Sequence, residues 1–434
     1  MRPSSTAYPR RNDAIPRQYP SPEDWDEEYE YEDDDTPKRR KKSKKSKKGK
    51  KKQTNPLWAR LLVFFGGFLM VLSLGLIVTT KVLLAKATSS IGTVDIGGSD
   101  STVASGKALE GTLNILLVGV DDGQAIGGEL RTDTKDGARA DSIMVLHVPP
   151  THDRGYIASI PRDSWVHIPA YPKAKFGGGQ GKINSAFTAG YGDPSKGGPG
   201  RAGGLELLMQ TINKETGITF NAAAIVNFNG FTNAVQLLGG VTMYIDEKVT
   251  SVHYGKDKNG NACVPALFDG NMIAHSVSAC KGRVFEKGTR RLNAEEALDY
   301  TRQREWLELG DGDYGRQRHQ QQFIKALVRE AKAQGLTTNL PKALQLMGAV
   351  GSTLTMWTNG AKIEDWFFTL KDVAGSDITM IKTNKGFFNS AQVPGTSAEG
   401  LSVDSKAMFT ALRDNKIDEW LVQHPEWLGT DSAS

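Results

Sequence analysis

Hydrophobic positions along this chain change period several times. The first apolar run, residues 61–80 (LLVFFGGFLMVLSLGLIVTT), holds twenty residues without a charge. That length spans a hydrocarbon core of ~30 Å as a helix. Beyond a Ser/Gly/Thr-rich spacer the pattern becomes that of an α/β domain. Residues 113–120 (LNILLVGV) read as a buried central strand ending at Asp121 and Asp122. Arg139, Ala140 and Asp141 precede a second strand over 142–148, and a third over 156–160 ends at Pro161-Arg162-Asp163. Carboxylates and arginines thus recur at strand ends, where open α/β sheets place their sites.

Leu205, Leu207, Leu208 and Ile212 mark an amphipathic helix before Gly217. A strand over 222–228, a helix over 231–238 and a strand over 241–245 follow. The apolar stretch 222–241 suits core packing, or the wall of a groove for a lipid tail. Asn293 and Glu296 form a capping box opening a helix that delivers Arg302 and Arg304. A further helix is expected from Phe323 to Ala333, others over 363–370 and 405–413, and a strand over 378–383.

Charge settles the topology. Ten Asp/Glu lie between Glu23 and Asp35, and twelve Lys/Arg fill the fifteen positions from Lys38 to Lys52. Neither block has the apolar residues to fold, so both are expected to be disordered. A basic block just before a spanning helix holds its side in the cytoplasm. The expected organisation is a cytoplasmic tail (1–56), a membrane anchor (57–84), a linker (85–110) and an extracytoplasmic domain (111–428). Ala85-Lys86-Ala87 has the form of a signal-peptidase site, but the sixty-residue lead and twenty-residue apolar core favour an uncleaved anchor. The tail carries most of the excess charge: of the net +5, the residues beyond Arg60 contribute about −1. The outer domain is therefore no general polyanion or nucleic-acid binder, and its arginines must act locally. Cys263 and Cys280 are the two cysteines. Outside the cell they are expected to pair, with two free thiols as the alternative.

The densest candidate chemistry lies in 299–322 (DYTRQREWLELGDGDYGRQRHQQQ). Arg302, Arg304, Arg316 and Arg318 surround Asp311 and Asp313, and the stretch closes on Gln320, Gln321 and Gln322. Guanidinium forks suit phosphate oxygens. A solvated, salt-bridged helix face is the plainer reading; Arg139, Arg162, Asp121 and Asp141 upstream favour an oxyanion site for pyrophosphate. Two carboxylates plus phosphate oxygens make a hard-cation site of the Mg²⁺ type. The glycine-rich 177–185 (GGGQGKINS) fails as a nucleotide-phosphate loop, because Phe176 stands where its first Gly belongs and Ile183 follows Lys182. Lys182 can still reach a phosphate as a point charge.

At these residues the chain resembles the LytR–CpsA–Psr family. The matching pieces are NILLVGVDD (114–122), RADSIMVLHV (139–148), SIPRDSWVHIP (159–169), KINSAF (182–187), NFNGFTNAVQLLGGV (227–241), LNAEEALDYTRQR (292–304) and GDYGRQRHQQQFI (312–324). They span roughly 111–330, in family order. The resemblance implies an α/β/α sandwich with a central mixed sheet and an apolar tunnel for a polyprenyl chain. It implies a membrane-anchored phosphotransferase that moves a glycopolymer from its polyprenyl-pyrophosphate carrier onto a peptidoglycan hydroxyl. A hydrolase of the same substrate and a non-catalytic envelope regulator are the alternatives. Carried over, Asp121 and Asp141 hold Mg²⁺, and Arg139, Arg162, Arg302, Arg304 and Arg316 grip pyrophosphate. Gln320 or Gln321 stands beside it, with Lys182 and Asn184 of KINSAF among the substrate contacts. The family's second arginine falls on His319, with Arg318 one position earlier, so either contacts phosphate in its place. Asp141 and Asp313 are the candidate general bases.

Overall fold

In a computed structural model of the protein, the described residues are 92–96, 110–121 and 139–429, less 270–272, 392 and scattered positions between 337 and 377. The charged tail, the apolar run 61–80, most of the spacer, the loop 122–138 and parts of the expected 363–370 helix lie outside them. No helix among the described residues is long and apolar enough to cross a membrane.

In chain order the strands and helices that matter are as follows. β1 (Gly92–Thr93), β2 (Leu113–Asp121), β3 (Arg139–Val148), β4 (Gly155–Ser159), β5 (Trp165–Ile168) and β6 (Gly179–Lys182) precede α1 (Asn184–Tyr191) and α2 (Gly200–Thr216). β7 (Ala222–Asn227), α3 (Phe228–Leu237), β8 (Val241–Ile245) and β9 (Val249–Lys256) lead to an excursion of short strands, β10 (Ala262–Cys263), β11 (Ala266–Phe268), β12 (Ala274–Ser276), β13 (Lys281–Phe285) and β14 (Gly288–Leu292). Then come α4 (Ala294–Arg302), β15 (Trp306–Leu307), α5 (Asp313–Ala333), β16 (Leu354–Trp357), β17 (Ile378–Ile381), α6 (Val403–Arg413) and α7 (Ile417–Gln423).

Seven strands form the central sheet in the order β1-β16-β7-β2-β3-β4-β17. β2 runs parallel to β7 and antiparallel to β3, so the sheet is mixed. Its continuous apolar strands are covered by helices on both faces, as their lack of alternation predicts, though Leu117, Leu146 and Val226 on one face are only half-buried. On one face Leu116, Val118, Val145 and Ile225 pack with Phe187, Leu205, Leu208, Ile212 and Phe409 from α1, α2 and α6. On the other, Met144 and Ile157 meet Ile324 and Val328 of α5. Helix layers on two faces give the α/β/α architecture.

Three sequence boundaries shift. β3 begins at Arg139, so Arg139, Ala140 and Asp141 lie inside the strand. The helix expected from Phe323 begins ten residues earlier, at Asp313. Gly312 turns the chain at a φ of 58°, a conformation glycine adopts without strain, and Asp313 sits in the first turn, where the helix dipole favours an acid. Finally, the glycine-rich 177–185 divides between β6, which pairs with β5, and the start of α1.

β2 and β3 hold register from Leu113↔Val148 to Gly119↔Ser142, then resume at Val120↔Ala140 and Asp121↔Arg139. Asp141 is the residue left over: a β-bulge, which bends a strand and re-aims a side chain. Gly119 permits the close approach there, since a Cβ on it would lie 2.9 Å from Ser142 Cβ.

Cys263 and Cys280 are bridged, with Cα atoms 5.9 Å apart and a separation of 17 residues. The bond clips the base of the β11–β12 hairpin, which pairs with nothing else among the described residues. An isolated two-stranded hairpin is marginal in water, so the link matters here. Cys280→Ser is expected to destabilise the domain by about 3 kcal/mol in the loop-entropy account. Hydrogen exchange should quicken first across 256–281, and the unreduced, denatured protein should offer no alkylatable thiol. Two alkylatable thiols before reduction would refute the bridge.

Candidate functional site

The site forms where β3, the turn after β4 and the first turn of α5 converge. Pro161 begins a tight turn closed by the Ser164 amide on the Pro161 carbonyl at 3.0 Å, and this presents Arg162. Its Nη1 donates to Asp141 Oδ1 at 2.6 Å, and its Nε lies 3.5 Å from Asp313 Oδ1. From α5, Arg316 Nη2 stands 2.7 Å from Asp313 Oδ1 and donates to the Asp141 carbonyl at 2.9 Å. That carbonyl is available because the bulge takes Asp141 out of the ladder. Two guanidiniums therefore share two carboxylate residues.

Electrostatics follow from that sharing. Burial pushes the Asp313 carboxyl up, but Arg316 and Arg162 outweigh it and hold it below the usual range. Burial draws Arg316 down, and the like charges of Arg162 and Arg304 add to this. Arg162 is also disfavoured by burial, yet Asp313, Asp141 and Asp163 raise it above its ordinary value. The Nε atoms of Arg162 and Arg316 are buried without a hydrogen-bond acceptor among the described residues. Unmade hydrogen bonds on buried charged donors cost free energy, and an arriving oxyanion would supply acceptors.

Neighbouring elements are stitched to this centre. The Ile183 and Asn184 amides donate to the Ser164 and Arg162 carbonyls at 2.8 and 3.2 Å, which binds the KINS segment to the PRDS turn. Lys182 Nζ sits 2.7 Å from Asp163 Oδ1 and donates to Ser397 Oγ at 3.1 Å. Gln320 accepts from Ser142 Oγ at 2.8 Å and donates to the Thr301 carbonyl at 3.3 Å, tying α5 to both β3 and α4. Arg304 follows α4; its Nε donates to Glu305 at 2.9 Å and its side chain is 31% exposed. Arg302 is the half-buried last residue of α4, and Arg139 is exposed at the start of β3. Asp121 closes β2 opposite Arg139, and its side chain lies outside the described residues.

A profile of the LytR_cpsA_psr family matches residues 78–410. The chain belongs to that family.

Cell wall biosynthesis protein LcpA of Corynebacterium glutamicum is 27% identical over 334 residues, 74% of this chain and 57% of that protein. Polyisoprenyl-teichoic acid–peptidoglycan teichoic acid transferase TagU of Oceanobacillus iheyensis is 28% identical over 238 residues, 54% of this chain and 57% of that protein. This LytR_cpsA_psr chain thus matches little more than half the length of either relative. A crystal structure of protein gbs0355 from Streptococcus agalactiae shares the fold at 19% identity and a TM-score of 0.50, over 71% of this chain and 88% of that one.

Three expected contacts are placed elsewhere on α5. Arg318 donates from Nε to Asp246 at 2.6 Å, from Nη2 to Glu247 and from Nη1 to Asp311. His319 is fully buried, stacks on Tyr300 at 4.4 Å between ring centroids, and puts Nε2 3.2 Å from Glu247 Oε1. Gln321 is buried and donates to Ser159 Oγ at 2.9 Å and to the Ile381 carbonyl at 3.2 Å. The helical period explains the split: Arg316 and Gln320 share one face, while Arg318 and His319 turn away from it. Arg318 and His319 therefore form an internal ion cage rather than a phosphate grip, and Gln321 braces α5 against the sheet. Asp246, Glu247 and His319 bring ligand-type atoms within 4.8 Å of one another, but Arg318 already occupies the two carboxylates.

Sequence reasoning missed Asp163, which holds Lys182, and the cage acids Asp246 and Glu247. It also missed Gln303, whose buried amide donates to Asp299 Oδ1 at 2.6 Å and accepts from the Val252 amide at 2.9 Å, fixing the strand between Arg302 and Arg304. No local signal marks these: Asp163 meets Lys182 19 residues on, Gln303 reaches back 51 residues to Val252, and the cage acids meet Arg318 more than seventy residues away.

The cage makes a stability prediction. Burial pushes Asp246 and Glu247 up, but His319 and Arg318 outweigh it and hold both below the usual carboxylate range. Folded values below the unfolded ones mean that this stabilisation is present above about pH 4.5 and is lost as pH falls. Arg318→Ala should cost about 3 kcal/mol in urea unfolding at pH 7, because it strands buried carboxylates. The deficit should shrink below about pH 4, where those carboxyls protonate. Unchanged unfolding at pH 7 would contradict the cage.

Proposed function

We propose that this protein is an extracytoplasmic, membrane-anchored phosphotransferase. It moves a glycopolymer from a polyprenyl-pyrophosphate carrier onto a peptidoglycan hydroxyl and leaves a phosphodiester. The carrying observation is the pair of buried arginines, Arg162 and Arg316, whose Nε donors lack acceptors beside Asp141 and Asp313. Family membership and the names of TagU, a teichoic acid transferase, and LcpA, a cell wall biosynthesis protein, support the same class of reaction.

The sheet adds a second support. On the face turned toward α5, Leu117, Leu146, Val226, Leu354 and Met356 are half-buried, while Leu116, Val118, Val145 and Ile225 opposite are closed off. This incompletely covered apolar stripe passes Gly119 and Ser142 and so runs to the bulge at Asp141. Within 222–241, Ala222 to Ile225 are core, and half-buried Val226 belongs to the stripe. A prenyl chain lying along it would bring its diphosphate to the arginines.

In the reaction, the acceptor hydroxyl oxygen forms a bond to the phosphorus that bears the polymer. The bond from that phosphorus to the bridging oxygen breaks, and polyprenyl monophosphate departs. The hydroxyl proton passes to a carboxylate, Asp141 or Asp313. Asp313 is held low by its arginines, so its stronger role is as their counter-ion. Arg162, Arg316 and Arg304 oppose the charge that grows on the bridging and equatorial oxygens, which is most of what phosphoryl transfer asks of a protein. For Mg²⁺, Asp141 fits as an oxygen ligand: Oδ1 is held by Arg162, while Oδ2 takes no hydrogen bond among the described residues. With Asp121 it would hold the ion, which neutralises diphosphate charge when bound.

A short lipid-pyrophosphate saccharide, supplied with and without peptidoglycan fragments, tests the proposal. Phosphodiester product should form and carrier release should depend on the acceptor; release that ignores the acceptor would favour a hydrolase. Arg162→Ala and Arg304→Ala should each lower transfer at least ~10²-fold, the usual loss of an oxyanion donor. Arg304→Ala should leave thermal unfolding almost unmoved, since its ion pair with Glu305 is part-exposed. Undiminished polymer attachment in cells carrying either variant would point to a regulatory role, such as the name of regulatory protein MsrR of Staphylococcus aureus suggests for that relative.

A further inference from the structure

Behind the arginines lies a carboxyl group that the proposed reaction does not use. Glu399 is 2% exposed, on the return strand of a hairpin closed by the Ala391 amide on the Ala398 carbonyl at 3.1 Å. Its main chain is strapped to the PRDS turn: the Glu399 amide donates to the Asp163 carbonyl at 3.0 Å, and the Trp165 amide donates to the Glu399 carbonyl at 2.6 Å. Its side chain accepts from the Tyr314 hydroxyl and from the Asn389 amide. Tyr314 follows Asp313 directly, and its oxygen accepts in turn from Asn384 Nδ2 at 2.8 Å. One residue thus touches both segments that supply the site, the turn bearing Arg162 and the first turn of α5.

The groups facing Glu399 can be named from each element around it. α5 presents Tyr314 and Asp313, the turn after β4 presents Asp163, the segment 384–389 presents Asn384 and the Asn389 amide, and no cation among the described residues pairs with the carboxyl directly. Arg162 and Lys182, the cations at the Asp163 turn, pair with Asp141, Asp313 and Asp163. A negative charge on Glu399 would therefore add one more acid beside Asp313 and Asp163, behind the arginines, and a neutral carboxyl would not.

We propose that Glu399 is a positioning residue whose single proton sets how tightly the arginine cluster holds a diphosphate, acting through Tyr314 and the Asp163 turn. This rests on the pyrophosphate reading of the site. With Glu399 neutral, the arginines present their full attraction to the anion. With Glu399 ionised, the added charge next to Asp313 and Asp163 opposes the diphosphate. Burial, with the like charges of Asp313 and Asp163, pushes the Glu399 carboxyl up to about 7, against the hydrogen bonds from Tyr314 and Asn389. The change of state therefore falls in the physiological range. By linkage, a folded value above the unfolded one means that Glu399 contributes its stability below about pH 4.5 and loses it as pH rises through about 7.

Glu399→Gln keeps the shape and fixes the neutral state. The test compares the full chain in detergent with this variant, using a short polyprenyl-pyrophosphate saccharide. Wild-type KM should rise severalfold from pH 6 to pH 8 with kcat little changed. The variant, measured on the same substrate, should lack that rise and keep the wild-type low-pH KM; a parallel rise in both would overturn the proposal. Melting gives a readout that needs no turnover. The variant should gain on wild type as pH increases from 5 to 8, and a gap independent of pH would also overturn the proposal. If the melting gap opens with pH while no saccharide is transferred by either protein, the functional reading has failed and the titration of Glu399 stands. Tyr314→Phe should blunt the wild-type KM rise without abolishing the melting trend; an unblunted rise would remove Tyr314 from the route.

Discussion

Buried arginines repel one another, and everything at this site depends on how that repulsion is contained. Arg162 and Arg316 converge because Asp141 and Asp313 stand between them, each carboxylate residue touching both guanidiniums. Desolvated charges persist only when paired and hydrogen-bonded. Here the pairing is incomplete by two Nε donors, and that deficit gives the cluster its appetite for an anion. A fully satisfied network would be structure and nothing more.

Two backbone features make the convergence possible. The bulge in β3 frees the Asp141 carbonyl from the ladder and turns its carboxylate toward the PRDS turn. Gly312 lets α5 start at Asp313, so that one helix carries Arg316 and Gln320 toward the sheet edge and Arg318 and His319 toward their acid cage. The cage lets α5 carry Arg316, Arg318 and His319 in a short span without aiming all three at one ligand. Arg318 is already bonded three times, so its charge is balanced internally and adds little to the field at Asp313. The central sheet supports both ends of this arrangement, since Gln321 spans from α5 to Ser159 of β4 and the Ile381 carbonyl of β17.

Much of this was legible in the chain. Continuous apolar strands ending in Asp121 and Arg162, the Asn293–Glu296 capping box and the alternation of strand and helix pointed to an α/β domain, and the family resemblance implied its mixed, doubly covered sheet. Arg162, Arg316, Asp141 and Asp313 were foreseeable because carboxylates and arginines recur at the strand ends, crowd residues 299–322 and fall on the family's motifs. The bulge was not, because nothing in RADSIMVLHV marks which residue leaves the ladder. The fate of Arg318 was hidden for a different reason: its partners Asp246 and Glu247 lie about seventy residues upstream and look like ordinary surface acids. Glu399 was invisible on similar grounds, since a lone glutamate in a Ser/Gly-rich segment carries no sign of burial.

Calorimetric binding of a polyprenyl diphosphate to the full chain in detergent tests the central claim most directly, comparing wild type with Arg316→Gln. The shared-carboxylate account predicts binding that weakens with salt and falls at least tenfold in the variant, since a charge-assisted contact is worth about 1.5–3 kcal/mol. Equal affinity in the two proteins, or affinity indifferent to salt, would mean that the arginines serve the fold alone.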